Sequence, residues 1–169
     1  LGLLTGDGHF TNRGNGNQAA VINLWGDDRS CADSVVAQIN ELIWRFGPAR
    51  RRYRTSAVAV PERNMIMIRS VILHRVLAMY GVTAQIKQQV PEIVWRGNEA
   101  CVKGYLRGLF QADGTVNISG HNGTTCSVRL ASSEPSLLKD VQMLLANFGV
   151  FASIVKRRDA GLRVLPDGR

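Results

Sequence analysis

Cysteine is scarce in this chain and badly placed for either of its structural uses. It occurs as Cys31, Cys101 and Cys126. An odd count at wide spacing excludes a disulfide framework and a zinc ribbon, and it points to a reducing compartment. No apolar run approaches the ~20 residues that a membrane-spanning helix needs, and no signal peptide is visible, so we expect a cytoplasmic, DNA-associated protein, with an organelle as the alternative. The three histidines (His9, His74 and His121) are scattered, and no Ser-His-Asp, Cys-His or zinc-ligand set can be drawn from them. Acidic residues are also few: 13 against 21 Lys plus Arg, a net charge of +8 and a pI near 10.1. That imbalance favours a polyanionic partner, with nucleic acid first.

What the chain does have is one stretch written twice. Tyr105 to Gly114 reads YLRGLFQADG, and Leu1 to Gly8 reads LGLLTGDG. Each ends in Asp-Gly, and each carries small residues four apart: Gly2 and Gly6, then Gly108 and Ala112. Residues four apart share a helix face, so these small side chains let two backbones approach closely. The simplest arrangement packs the two helices together and brings Asp7 and Asp113 to one place.

The repeat extends beyond the motif. A shift of 106 residues carries Asp7-Gly8 onto Asp113-Gly114, Gly14 to Asn17 onto Gly120 to Gly123, and Ile22 and Leu24 onto Val128 and Leu130. Glycine and asparagine tolerate positive φ, which suits hairpin turns at both places. A shift of 102 then carries the helical face Val35, Val36, Ile39, Leu42, Ile43 and Phe46 onto Leu137, Leu138, Val141, Leu144, Leu145 and Phe148. Gly47 and Gly149 follow as stops. Ser30 is the candidate N-cap of the first of these helices, and Asn98 that of the second motif helix. Basic strands follow at Arg50 to Arg54 and at Ile154 to Arg158. Further strands are expected at Val58 to Val60 and Met65 to Ile68, with a closing helix over 69–80. The reading is an α+β fold of two αββαββ(α) halves, 1–95 and 96–169, with the second incomplete at its C-terminal end. The chain begins inside its first motif without a methionine, so we read it as part of a longer protein.

The paired motif resembles the LAGLIDADG signature of homing endonucleases. The second copy keeps Leu106, Gly108, Leu109, Ala112, Asp113 and Gly114; the first keeps Gly2, Leu3, Asp7 and Gly8. The resemblance covers essentially the whole chain. It implies a single-chain enzyme whose halves are related by a pseudo-twofold, with motif helices at the centre and antiparallel sheets forming a DNA-binding saddle. It implies a monomer acting on double-stranded DNA, with staggered cuts leaving 3′ overhangs. The linker from Val90-Pro91-Glu92 to Asp113 looks most like the endonucleases embedded in inteins, so the parent protein could carry splicing domains. No splicing motif is present here, and His121-Asn122 falls in a hairpin turn. In the family a lysine often precedes the Val-Pro-like pair by two residues. That position is Gln88, and Lys87 stands one residue earlier as the candidate accessory group.

Phosphodiester hydrolysis needs an activated water, a neutralised phosphate and a stabilised leaving oxygen, which a hard divalent ion held by carboxylates provides. Asp7 and Asp113 are the expected ligands of Mg²⁺ or Mn²⁺, at helix ends whose carbonyls favour a cation. DNA reading is assigned to the strands, because β-ribbons fit the major groove. Alternation puts Val128, Leu130, Ile22 and Leu24 toward the helices, and Arg129 and Asn23 toward DNA. Arg50, Arg52, Arg54, Lys156, Arg157 and Arg158 are expected to make mixed phosphate and base contacts. Arg45, Arg96 and Arg163 read as solvated charges. Trp44 and Trp95 read as packing residues, and Trp25 as a rim or DNA-face aromatic. Two other functions use the same scaffold: an RNA-binding maturase for group I introns, and a non-cleaving DNA-binding regulator.

Overall fold

A computed structural model describes residues 1–12, 18–46, 53–119 and 125–156. The first half runs α1 (Gly2–Gly6), β1 (Gly8–Thr11), β2 (Ala19–Trp25), α2 (Ala32–Phe46), β3 (Ala57–Val60), β4 (Met65–Ser70) and α3 (Val71–Met79). This is the αββαββα order expected from the repeat. The strands form one antiparallel sheet in the order β1-β2-β4-β3. Gly8 lies opposite Ile22, and Leu24 lies opposite Ile66. Ile22, Leu24 and Ile68 therefore share one face, and they bury against Val35, Ile39 and Ile43 of α2 and Leu73 and Val76 of α3. Burying such side chains stabilises by roughly 1.5–3 kcal/mol each before chain entropy is subtracted.

Local chemistry sets the element ends. Ser70 Oγ accepts the Leu73 N–H at 3.1 Å and caps α3, and Gly81, at φ 71°, follows its end. Ser30 does not cap α2. Its hydroxyl donates to the Asp27 carbonyl at 2.8 Å, because Gly26–Cys31 winds into a 3₁₀ turn that runs straight into the helix. No corresponding turn separates the matching elements of the second half, which accounts for the change in repeat offset. Nor do Arg54 and Lys156 lie in strands. The Asn40 carboxamide takes both backbone groups of Thr55, at 2.7 and 2.9 Å, so pairing starts only at Ala57. The chain at Ala152 is held instead by Gln142, whose amide donates to its carbonyl at 2.6 Å. Trp44 is 65% exposed rather than packed, and Phe46 turns outward to meet Tyr80 edge-on.

A 3₁₀ turn at Ala84–Lys87 and the short α4 (Glu92–Trp95) lead to α5 (Glu99–Asp113), β5 (Gly114–Ser119), β6 (Thr125–Leu130) and α6 (Pro135–Ala146). Asn98 caps α5 as expected, accepting the Cys101 N–H at 3.0 Å. A second core joins Val90, Val94, Leu106, Leu109, Leu137, Val141 and Leu144, and Ile93 packs against both cores. Gly149, at φ 72°, ends the run after α6, and the Val150 N–H returns to the Leu145 carbonyl. β5 and β6 pair antiparallel, with Val116 opposite Val128. Both valines share the face of Leu130, yet they stay 63% and 64% exposed. In the first half β4 extends the sheet beside β2; among the described residues β6 pairs only with β5.

Candidate active site

The two motif helices cross where the glycines lie. A Cβ on Gly108 would stand 2.9 Å from the Leu3 nitrogen, and one on Gly2 would stand 2.9 Å from the Gly108 carbonyl carbon. Real Cβ atoms do not approach backbone so closely, so these positions accept only glycine. Further along, a Cβ on Gly6 would collide with Ala112 and lie 3.1 Å from Asp113 Oδ2. All four small residues predicted for the interface are therefore at it, and the Asp113 carboxylate rests beside the backbone that leads into Asp7.

The glycine after each aspartate answers to space rather than to backbone conformation. Gly114 is extended, at φ −84° and ψ 154°. A Cβ there would press on the Phe110 carbonyl, and one on Gly8 would lie 2.6 Å from the Leu4 carbonyl oxygen. Each strand thus leaves its helix tightly, with the aspartate at the corner. Asp7 also closes α1 by donating its N–H to Leu3 O at 3.0 Å.

Lys87 reaches the same end of α1. Its ammonium donates to the Gly6 carbonyl oxygen, so it meets the end of α1 one residue before Asp7. Thr83 caps the 3₁₀ turn that carries it, and Ile86 anchors that turn in the first core. Burial raises the Asp7 carboxyl above the usual carboxylate range; Asp113 and then Asp28 add to the rise, and Lys87 opposes it. Burial likewise raises Asp113 against Lys87. Burial lowers the Lys87 amine, while Asp113 and Asp7 counter it. Tyr105, buried at the helix crossing, has its phenol pushed up to about 12 by burial and stays neutral.

The donor set fits a hard divalent cation. Two half-buried carboxylates converge with helix-end carbonyls, and no cluster of three or more His, Cys, Asp or Glu residues occurs among the described residues. Mg²⁺ commonly binds through one or two carboxylates and completes its shell with water and substrate oxygens. Asp28 escaped the sequence reading. It sits on the 3₁₀ turn that breaks the repeat, and Gln111 reaches both Asp28 Oδ1 and Cys31 Sγ at 3.4 Å. That break in the offset was the available signal.

The sheet face opposite the helices holds His9, Val21, Asn23, Met67 and Arg69. Asn23 therefore points where alternation placed it. Asn23 Oδ1 and Arg69 Nε are both buried there without a hydrogen-bond partner. Arg69 was also missed, although the alternation Met65, Met67, Arg69 against Ile66, Ile68, Ser70 exposes it. In the second half Arg129 is exposed opposite Thr115. Arg54 and Lys156 are exposed but outside strands. Arg50, Arg52, Arg157 and Arg158 lie outside the described residues. His74 packs edge-on against Phe10 at 5.3 Å, a structural role.

Comparison with known proteins agrees with this geometry. Residues 100–167 match the LAGLIDADG-like domain family. The ribonucleoside-diphosphate reductase NrdEB subunit alpha of Bacillus subtilis is 29% identical over 177 residues, covering 100% of this chain. A DNA polymerase of Thermococcus hydrothermalis is 29% identical over 154 residues, covering 91% of it. The chain spans only 16% and 9% of those two relatives. A solved complex of a variant of the homing endonuclease I-DmoI with its target DNA, nicked in the coding strand and in the presence of manganese, superposes with a TM-score of 0.60. The identity is 16%, over 89% of this chain and 74% of that one. Residues 100–167 are thus similar to LAGLIDADG-like domains, and the chain has the fold of that homing endonuclease.

Proposed function

We propose that this chain is a metal-dependent, site-specific DNA endonuclease that cuts both strands of a long duplex site. The carrying observation is the convergence at one helix crossing of Asp7, Asp113 and Lys87, two acids and a base drawn from two halves and the linker between them. One acid per half matches one cut per strand, and cuts placed about the pseudo-twofold would leave 3′ overhangs. Asp7 and Asp113 would hold Mg²⁺ or Mn²⁺, which when bound supplies charge neutralisation and an acidified water. Burial of the carboxylates removes competing solvent and strengthens their hold on a cation. Lys87 carries its charge to the same place, where it can pair with the scissile phosphate or move a proton to the leaving oxygen. Arg129, Asn23 and Arg69 read the groove from the sheet faces. The enzyme acts on duplex DNA as a monomer.

We further read the parent as a mobile element of the intein type. The chain matches only a small share of a reductase, a DNA polymerase, an RNA polymerase subunit and an aminotransferase. One segment shared by enzymes with no common chemistry behaves as an inserted module. The test is cleavage of a library of long duplexes with Mg²⁺, comparing the parent protein with its Asp7→Asn and Asp113→Asn forms. Cutting at one long site that either change abolishes or reduces to nicking supports the reading. Salt-sensitive duplex binding without cutting indicates a regulator instead, and preference for structured RNA a maturase.

A further inference from the structure

Lys87 is the first of the three residues that cross between the two cores, from Ile86 in the first to Val90 in the second. Such a crossing has few contacts of its own, and a lysine side chain carries large rotamer freedom. Yet two side chains of α6 grip the backbone just beyond it. Ser136 Oγ donates to the Gln88 carbonyl at 2.6 Å, and Asp140 Oδ2 accepts the Val90 N–H at 2.9 Å. Positions 136 and 140 are one helical turn apart and share a face. Pro91 follows at once and holds Val90 extended, so that its N–H stays turned to Asp140. These hydrogen bonds of Ser136 and Asp140 go to the linker backbone, and the Lys87 ammonium ends on the first motif helix, at Gly6.

We propose that Ser136 and Asp140 are positioning residues: a strut from the second half that holds the linker so that Lys87 reaches the end of α1. The inference rests on the reading of Lys87 as an active-site group, and it adds the device that places it. It also gives a use to the one-residue departure from the family pattern. Gln88, at the position where the family often has its lysine, offers its carbonyl to the strut, while Lys87 points into the site.

The first test needs no cleavage. Full-length protein is treated with a limiting amine-acylating reagent, and each lysine is mapped by mass spectrometry. Lys87 should react at least about tenfold more slowly than the exposed Lys139 in wild type. In Asp140→Ala, and more so in Ser136→Ala/Asp140→Ala, its rate should approach that of Lys139. Asp140→Asn keeps an acceptor and should leave Lys87 slow. Val141→Ala loosens the same helix without touching the grip and should also leave it slow. A slow Lys87 in Asp140→Ala, or release by Val141→Ala equal to that in Asp140→Ala, overturns the proposal.

The second test is a double-mutant cycle on a cleaved duplex under single-turnover conditions. Misplacing a reacting group by about 1 Å can cost on the order of 10²-fold. Asp140→Ala should slow cutting by that order with target binding retained, and add nothing in a Lys87→Met background. Equal losses in both backgrounds overturn the strut. If wild type cuts no duplex, the endonuclease reading fails, while the acylation map still decides the strut.

Discussion

Lys87 Nζ reaches the carbonyl oxygen of Gly6, the residue that precedes Asp7 on the first motif helix. The two residues are 81 positions apart in sequence, and this contact ties the linker to the end of α1. Lys87→Met keeps much of the stem volume and removes the charge. We expect single-turnover cleavage to fall by about 10²-fold or more, the usual scale for losing a general acid–base group. Target affinity in a gel-shift titration should change little, because the proposed DNA contacts lie on the sheets.

The raised carboxyls carry a stability signature. A folded-state pKa above the unfolded value means that the ionised form costs stability. For Asp7 and Asp113 the carboxyl's contribution is greatest below the unfolded value near 3.8, and it is lost as pH rises through the raised folded value. Asp7→Asn and Asp113→Asn should therefore melt higher than wild type at pH 7, and the gap should close at acid pH where wild type is itself protonated. Cleavage should show the opposite cost, with the acidic limb of its pH profile lying above the ordinary aspartate range, because protons compete with the metal.

The helix crossing allows no added atoms. Gly2→Ala and Gly108→Ala each place a methyl against backbone of the partner helix rather than against a flexible side chain. Overpacking typically costs 1–3 kcal/mol, and here the helices must separate to admit the methyl. Urea unfolding should show a loss at the upper end of that range. Gly6→Ala should lose stability too, since its methyl meets the Ala112 Cβ, and it should also slow cleavage, because the same methyl crowds Asp113.

On the sheet faces, Arg69→Ala and Arg129→Ala should each weaken duplex binding. If the guanidinium contacts phosphate, the slope of log affinity against log salt should drop by about 1 and all sequences should lose equally. If it reads a base, discrimination at one position should fall by roughly 1–3 kcal/mol. Asn23→Ala should relax preference at a single position with little change in salt slope. Binding to a randomised target library at two salt concentrations separates these outcomes.

Val116 and Val128 form an exposed apolar pair on a two-stranded sheet. Exposed apolar strands invite edge-to-edge association. Changing both to threonine should raise solubility with little effect on melting temperature, measured by light scattering at increasing protein concentration.

The linear pattern by itself determined the pieces and their chemistry. The repeat marked the order αββαββα, because hydrophobic spacing follows local periodicity and is blind to distance. The small residues at Gly2, Gly6, Gly108 and Ala112 announced a close helix crossing, and the two Asp-Gly corners announced paired acids. The sequence named Lys87 as the candidate basic group, one residue before the position that the family pattern marks, Gln88. Only the tertiary structure shows its ammonium at the Gly6 carbonyl, 81 positions away, and Asp140 accepting the Val90 N–H from 50 positions further along the chain. Likewise Arg54 reads as a strand residue until Asn40 takes the backbone groups of Thr55, 15 positions further along. Asp28, which the sequence reading passed over, meets Gln111, 83 positions further along the chain, only in the folded structure. In each case a long-range contact overrides a local preference worth less than about 1 kcal/mol, and no local pattern encodes which contact that will be.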